Sequence, residues 1–162
     1  MLGNLEEEDF NELYQDVVLQ NSRKPKNFKK IFCNYCASGK NPSCGDSLEI
    51  YMNFESDRLA DISFQGEGCA LSIAATSLLT EKLKFKTIGE IKKILSLFSI
   101  FILTQDSHIN KENECRQLNA LDNLAIFKGV KKYPLRIKCV MLSFRTVEQI
   151  IKDWEAENAR RD

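Results

Sequence analysis

The chain has 162 residues, of which 43% are hydrophobic and 28% are charged, and this composition is typical of a soluble globular protein. Lys plus Arg and Asp plus Glu both total 23, so the net charge is close to zero. Such a balance indicates neither nucleic-acid binding nor attraction to an anionic membrane. The length predicts a single domain spanning residues 1–162.

The N-terminal residues become acidic where a secretory signal would be basic. The longest apolar run, residues 94–103, has about half of the roughly 20 residues that a membrane-spanning helix needs. We therefore expect a cytoplasmic protein. In a reducing compartment its six cysteines are expected to be metal ligands, reactive thiols or buried core residues, and not a disulfide framework.

The first half of the chain predicts one helix and a small sheet. Apolar residues recur at helical spacing over residues 5–21. A short strand is expected within residues 29–40, and clear alternation over Ser47–Phe54 and Leu59–Gln65, with Ala60, Ile62 and Phe64 inward, predicts an antiparallel hairpin with one buried face.

The second half predicts helices only, so the fold class is α+β with helices packed on one face of a sheet of two or three strands. Cys69 is expected to open a helix with one apolar face, and Thr87–Glu90 has the capping-box pattern that starts another. The remaining expectations are a surface loop over 104–117, a short helix over 119–130, and a long helix from Pro134 whose polar tail frays after Glu155.

Three segments carry candidate metal-binding chemistry. Cys44 and Asp46 lie on a turn with the sequence NPSCGD at residues 41–46. Cys69 follows two glycines at a predicted helix N-terminus, where the helix dipole favours the thiolate form, and Cys139 lies near the start of the last helix. Together these residues offer three thiolates and one carboxylate, which suit tetrahedral Zn²⁺ or iron in a cluster.

Plainer interpretations stay open for each cysteine. A cysteine in a helix is often a small core residue. Cys33 and Cys36 have the spacing of half a metal site, but no second pair completes it, because Cys115 stands alone and His108 is the only histidine. His108 and Cys115 are expected to lie in the polar surface loop without a role.

The segments NPSCGD (41–46), FQGEGCALSI (64–73) and YPLRIKC (133–139) resemble the three signature segments of the IscU/NifU N-terminal family of iron–sulfur cluster assembly proteins. The resemblance covers a core of about residues 10–152, leaving a polar C-terminal tail. It is closest to the SufU branch, because the stretch between Cys69 and Cys139 is long and Lys138 stands where IscU has a histidine.

The resemblance implies an IscU/SufU-like fold and the ligand set Cys44, Asp46, Cys69 and Cys139. It also implies a cysteine desulfurase as partner, and Cys44 is expected to accept the persulfide sulfur because it lies on a loop. The protein would then be a scaffold for a labile [2Fe–2S] cluster that passes to an apo acceptor or assembly complex.

The alternative is a zinc-dependent sulfurtransferase of SufU type, which relays sulfur without building the cluster. In that case Arg136 is a possible partner for Asp46 or for a ligand that leaves the site. Whether the protein is an enzyme, and whether Cys33 and Cys36 form a second metal site or a redox pair, stays open. A purely structural zinc protein is a third interpretation.

Overall fold

The computed structural model describes residues 7–104 and 110–161, with side chains from residue 11 onwards. In chain order the elements are α1 (Glu7–Arg23), β1 (Tyr35–Asn41), β2 (Asp46–Glu55), β3 (Arg58–Glu67), α2 (Ala70–Leu83), α3 (Ile88–Leu103), α4 (Lys111–Leu121), a 3-10 helix (Asp122–Val130) and α5 (Pro134–Arg161). The predicted α+β class with a small antiparallel sheet is confirmed.

The three strands form an antiparallel sheet in the order β1-β2-β3. The predicted alternation is correct for β2, where Leu48, Ile50, Met52 and Phe54 are buried. In β3 the expected inward position of Ala60 is wrong. An irregularity at Asn53/Phe54 leaves Ala60 without a partner in the ladder and pairs Phe54 with Leu59, which is fully buried.

The helices cover the inner face of the sheet, with α2 at the centre. This helix packs against α1, α5 and β3. The predicted single apolar face is therefore wrong for α2, because every residue from Ser72 to Thr80 is buried. None of the helices in the described parts of the chain is long and apolar enough to cross a lipid bilayer.

Helix α5 begins at Pro134 as predicted but does not fray after Glu155. It continues to Arg161 because its last turns are held to other elements. Glu155 forms an ion pair with Lys92 of α3 at 2.5 Å, and Glu157 accepts a hydrogen bond from the Tyr35 hydroxyl at 2.5 Å.

The surface loop predicted over residues 104–117 is also corrected, because Lys111–Leu121 is helix α4. Its N-cap is Asn110, whose side chain accepts a hydrogen bond from the Asn113 amide at 2.8 Å. Leu118 and Leu121 are the buried residues of this helix. Residues 105–109, including His108, lie outside the described part of the chain.

The helical core is centred on stacked rings. Phe98 of α3 and Phe144 of α5 lie parallel with ring centroids 3.9 Å apart, and both are fully buried.

We expect Phe144→Ala to lower the free energy of unfolding by about 3–5 kcal/mol, because it leaves a cavity beside Phe98. Urea denaturation measures this loss, and Phe144→Leu is the matched control with a smaller cavity. Equal stability of Phe144→Ala and the wild type would contradict the prediction.

Candidate metal centre

The turn between β1 and β2 presents Cys44 to solvent. The backbone carbonyl of Asn41 accepts hydrogen bonds from the amides of Cys44 and Gly45, at 3.2 and 2.9 Å. The side chain of Asn41 also accepts a bond from the Ser43 amide at 3.3 Å. Gly45 has φ +70, a left-handed conformation that closes the turn at little cost only for glycine. The side chain of Cys44 is exposed, so this turn holds an accessible thiol in a defined place.

Asp46, the first residue of β2, is 1% exposed. Its Oδ1 accepts a hydrogen bond of 2.8 Å from the backbone amide of Cys69. Its Oδ2 lies 3.9 Å from the Cys69 Sγ. The buried carboxylate thus joins the start of the sheet to the start of α2 and keeps one oxygen next to the thiol.

Cys69 is the N-cap of α2, as the sequence predicts for the start of this helix. Its sulfur accepts a hydrogen bond from the Ser72 amide at 3.5 Å. Such a bond from an otherwise unpaired helix amide stabilises negative charge on the sulfur.

Cys139, on α5, is 4% exposed and brings a third thiol to Cys44, Asp46 and Cys69. Its Sγ lies 3.1 Å from the Cys44 Sγ, and the side-chain amide of Asn41 donates to it at 3.8 Å. Burial raises the pKa of the Cys139 thiol, and hydrogen bonds with Cys44 and Cys69 add to this effect. In the metal-free protein Cys139 therefore holds a proton that metal binding must displace.

Among the described residues, Cys44, Asp46 and Cys139 offer donor atoms that all lie within 4.8 Å of one another. Cys69 is not part of that group but lies beside it, next to both Asp46 and Cys139. Three sulfurs and one carboxylate oxygen can complete a tetrahedral shell for Zn²⁺ or bind the iron of a cluster. The donor set therefore fits both metals that the sequence predicts.

Arg136 and Asn41, two residues next to the donor group, make contacts that the sequence did not predict. The guanidinium of Arg136 lies over the ring of Tyr133, 4.5 Å from its centroid, while Asp46 bonds to the Cys69 amide. A role of Arg136 as an exchange partner stays a prediction. The side-chain contact between Asn41 and Cys139 was not predicted, although Asn41 begins the NPSCGD segment, because it depends on the packing of α5 against β1.

The other cysteines lie outside this group. Cys33 and Cys36 are neighbours at the start of β1, where Cys36 adds to the rise that burial causes in the pKa of the Cys33 thiol. Cys115 is exposed on α4, and its predicted position in a loop is wrong.

Gly68 is needed where the chain passes the Asp46 carboxylate. A Cβ atom at this position would lie 2.7 Å from Asp46 Oδ1, closer than real contacts allow. We expect Gly68→Ala to displace the carboxylate and to lower zinc affinity by about 10- to 100-fold, as changes next to a ligand commonly do. Competition with a chromophoric chelator measures this affinity.

The matched control is Gly89→Ala, because a Cβ at Gly89 would meet no atom closer than Thr87 Oγ1 at 4.0 Å. It should bind zinc like the wild type. Unchanged zinc affinity of Gly68→Ala would show that the position of the carboxylate does not matter for binding.

The chain is similar to known proteins over most of its length. Residues 13–140 match the family described as NifU-like N terminal domain. The chain is 31% identical over 146 residues to the zinc-dependent sulfurtransferase SufU of Bacillus subtilis (strain 168), covering 90% of this chain and 94% of SufU. It is 30% identical over 142 residues to the iron–sulfur cluster assembly scaffold protein IscU of Streptococcus pyogenes serotype M1, covering 88% and 84%.

The solved structure of the SUF-system protein FiSufU from Fervidobacterium islandicum AW-1 has a TM-score of 0.69 and 29% identity to this chain. The alignment covers 87% of this chain and 98% of FiSufU. A match over most of the chain, together with the cysteine and aspartate donors, shows that the protein belongs to the NifU-like N-terminal domain family, whose members include SufU and IscU proteins.

Proposed function

We propose that this protein accepts persulfide sulfur at Cys44 and serves as a scaffold on which a labile [2Fe–2S] cluster is assembled. One observation carries the proposal. An exposed thiol, Cys44, lies beside a buried thiol and a buried carboxylate, Cys139 and Asp46, within a group of donors 4.8 Å across. A purely structural site would gain nothing from leaving one of its thiols open to solvent.

Family membership implies a sulfur donor and a cluster acceptor as partners. The proposed donor is a cysteine desulfurase. The Cys44 thiolate attacks the outer sulfur of the donor persulfide, and the cysteine of the desulfurase leaves as a thiolate. The exposure of Cys44 supports its assignment as the acceptor, because Cys139 is buried and its pKa is raised.

The cluster is cargo in this proposal, and Cys44, Cys69, Cys139 and Asp46 are its proposed ligands. A carboxylate is a harder ligand than a thiolate and suits the iron of a cluster less well. The mixed set therefore favours a cluster that can be released to an apo acceptor.

A second function, zinc-dependent sulfur transfer without cluster assembly, is favoured by the compact donor set and by the similarity to SufU of Bacillus subtilis. Cys44, Asp46, Cys69 and Cys139 would hold the zinc, which keeps thiolates deprotonated and protects them from oxidation. Arg136 is the proposed cationic partner for a carboxylate or thiolate that leaves the group. Arg136 is exposed, and its guanidinium lies over the Tyr133 ring and partly offsets the rise that burial causes in the pKa of Tyr14.

Two measurements on the purified protein separate these functions. Scaffold activity predicts a cluster absorbance band after anaerobic reconstitution with iron and a desulfurase, followed by transfer to an apo acceptor. Sulfur transfer predicts tightly bound zinc and faster alanine production by the desulfurase, with no transferable cluster. Absence of both activities would reject the proposed function.

A further inference from the structure

A pair of cysteines lies on the outer face of the sheet, on the opposite side from the metal centre. Cys36 is exposed and follows Tyr35, whose side chain is half-buried on the inner side. Alternation along β1 places Asn41 inward beside Cys139 and Cys36 outward, opposite Tyr51 of β2. The pair is therefore separated from the metal centre by the sheet itself.

Cys33 reaches Cys36 because the chain bends at Asn34. The side-chain amide of Asn34 donates to the carbonyl of Phe54, and its oxygen accepts from the Phe54 amide, both at 2.8 Å. These two bonds attach the bend to the end of β2. They hold Cys33 two residues before β1, close enough to Cys36 that the Cys36 thiol helps to raise the pKa of Cys33.

The surroundings of this pair favour redox chemistry over metal binding. Glu49 and Tyr51 are its polar neighbours on β2. Within residues 7–104 and 110–161, however, the donors close enough to hold a metal are those of Cys44, Asp46 and Cys139, and the pair has no third ligand of this kind. Two neighbouring thiols without a metal can still close to a disulfide, with an S–S length of about 2.05 Å.

We propose that Cys33 and Cys36 form a second thiol site, a reversible dithiol/disulfide pair that reacts with low-molecular-weight disulfides independently of the metal centre. The site differs from Cys115, which is exposed on α4 and, as a single thiol, stops at a mixed disulfide. The proposal does not depend on which function the metal centre performs.

The reaction balances with a small disulfide, RSSR, as the oxidant. The Cys36 thiolate attacks one sulfur of RSSR, a Cys36–SR mixed disulfide forms, and RS⁻ leaves and takes a proton from water. The Cys33 thiol then loses its proton to solvent and attacks the Cys36 sulfur. This step forms the Cys33–Cys36 bond and releases the second RSH, so both cysteines are oxidised and RSSR is reduced to two RSH.

The order of attack follows from exposure. Cys36 is exposed, whereas Cys33 is partly covered. Burial raises the pKa of Cys33, and the nearby Cys36 adds to the effect. We therefore assign Cys36 as the attacking thiol and Cys33 as the resolving thiol of the pair.

The test exposes the zinc-loaded full chain to increasing ratios of oxidised to reduced glutathione, followed by alkylation, trypsin and mass spectrometry. Residues 31–40 form one tryptic peptide between Lys30 and Lys40, with Cys33 and Cys36 as its cysteines. We expect this peptide to lose both alkylation sites and two hydrogens as the ratio rises, and to regain both sites with dithiothreitol. Zinc content should not change.

Cys115 is the internal control, since its peptide should carry a single glutathione under the same conditions. Matched variants Cys36→Ser and Cys33→Ser should each give only a mixed disulfide, formed faster at Cys36 than at Cys33. Two alkyl groups or two glutathiones on the 31–40 peptide of the wild type, at ratios that modify Cys115, would overturn the proposal. Loss of zinc in step with oxidation of the pair would overturn its independence from the metal centre.

Discussion

Cys44→Ser is expected to abolish sulfur acceptance while leaving the protein folded. The thiol is exposed on a turn whose hydrogen bonds come from backbone amides and from Asn41, so serine removes no core packing. The direct readout is peptide mass spectrometry after reaction with a cysteine desulfurase and alkylation. The tryptic peptide of residues 41–58 has Cys44 as its only cysteine, and in the wild type it should gain one sulfur atom.

Two controls make this result specific. Cys115→Ser removes another exposed thiol, outside the metal centre, and should accept sulfur like the wild type. Circular dichroism checks the fold, and unfolding of Cys44→Ser would favour a structural zinc protein instead. Added sulfur on the wild-type peptides that hold Cys69 or Cys139, and not on the 41–58 peptide, would show that Cys44 is not the acceptor.

Asp46→Asn is expected to cause a large loss of metal affinity. Asparagine keeps the size of the side chain and an oxygen that can accept from the Cys69 amide, now 2.8 Å from Asp46 Oδ1. It removes the negative charge and the carboxylate donor. We expect zinc affinity to fall by more than the about 10- to 100-fold that follows loss of an outer-shell partner. Chelator competition measures the affinity.

Asp46→Ala separates the ligand role from the structural one. It also leaves the Cys69 amide without its acceptor, at a further cost of about 1–3 kcal/mol in folding stability when the group is buried. Asp46→Asn should therefore lose affinity with little loss of stability, and Asp46→Ala should lose both. Wild-type zinc affinity in Asp46→Asn would exclude the carboxylate from the proposed ligand set.

Local patterns determined much of the fold. Alternation of apolar residues predicted the β2–β3 hairpin, and the Thr87–Glu90 capping box predicted the start of α3. Both features can be predicted from the sequence because each depends on residues only a few positions apart. Helix α4 was not predicted because its local signal is weak. Leu118 and Leu121 are its buried residues, and its stability comes from packing against α3 and the 3-10 helix, which are elements beyond its own sequence.

The donor residues Cys44, Asp46, Cys69 and Cys139 were likewise readable from three short segments, although their roles as ligands stay predictions. Only the tertiary structure decided their unequal environments. The Cys44 and Cys139 sulfurs lie 3.1 Å apart although the residues are separated by 95 positions in the chain. Sequence spacing cannot give such a distance, because it depends on how α5 packs against β1 and α2. The same packing buries Cys139 and leaves Cys44 exposed.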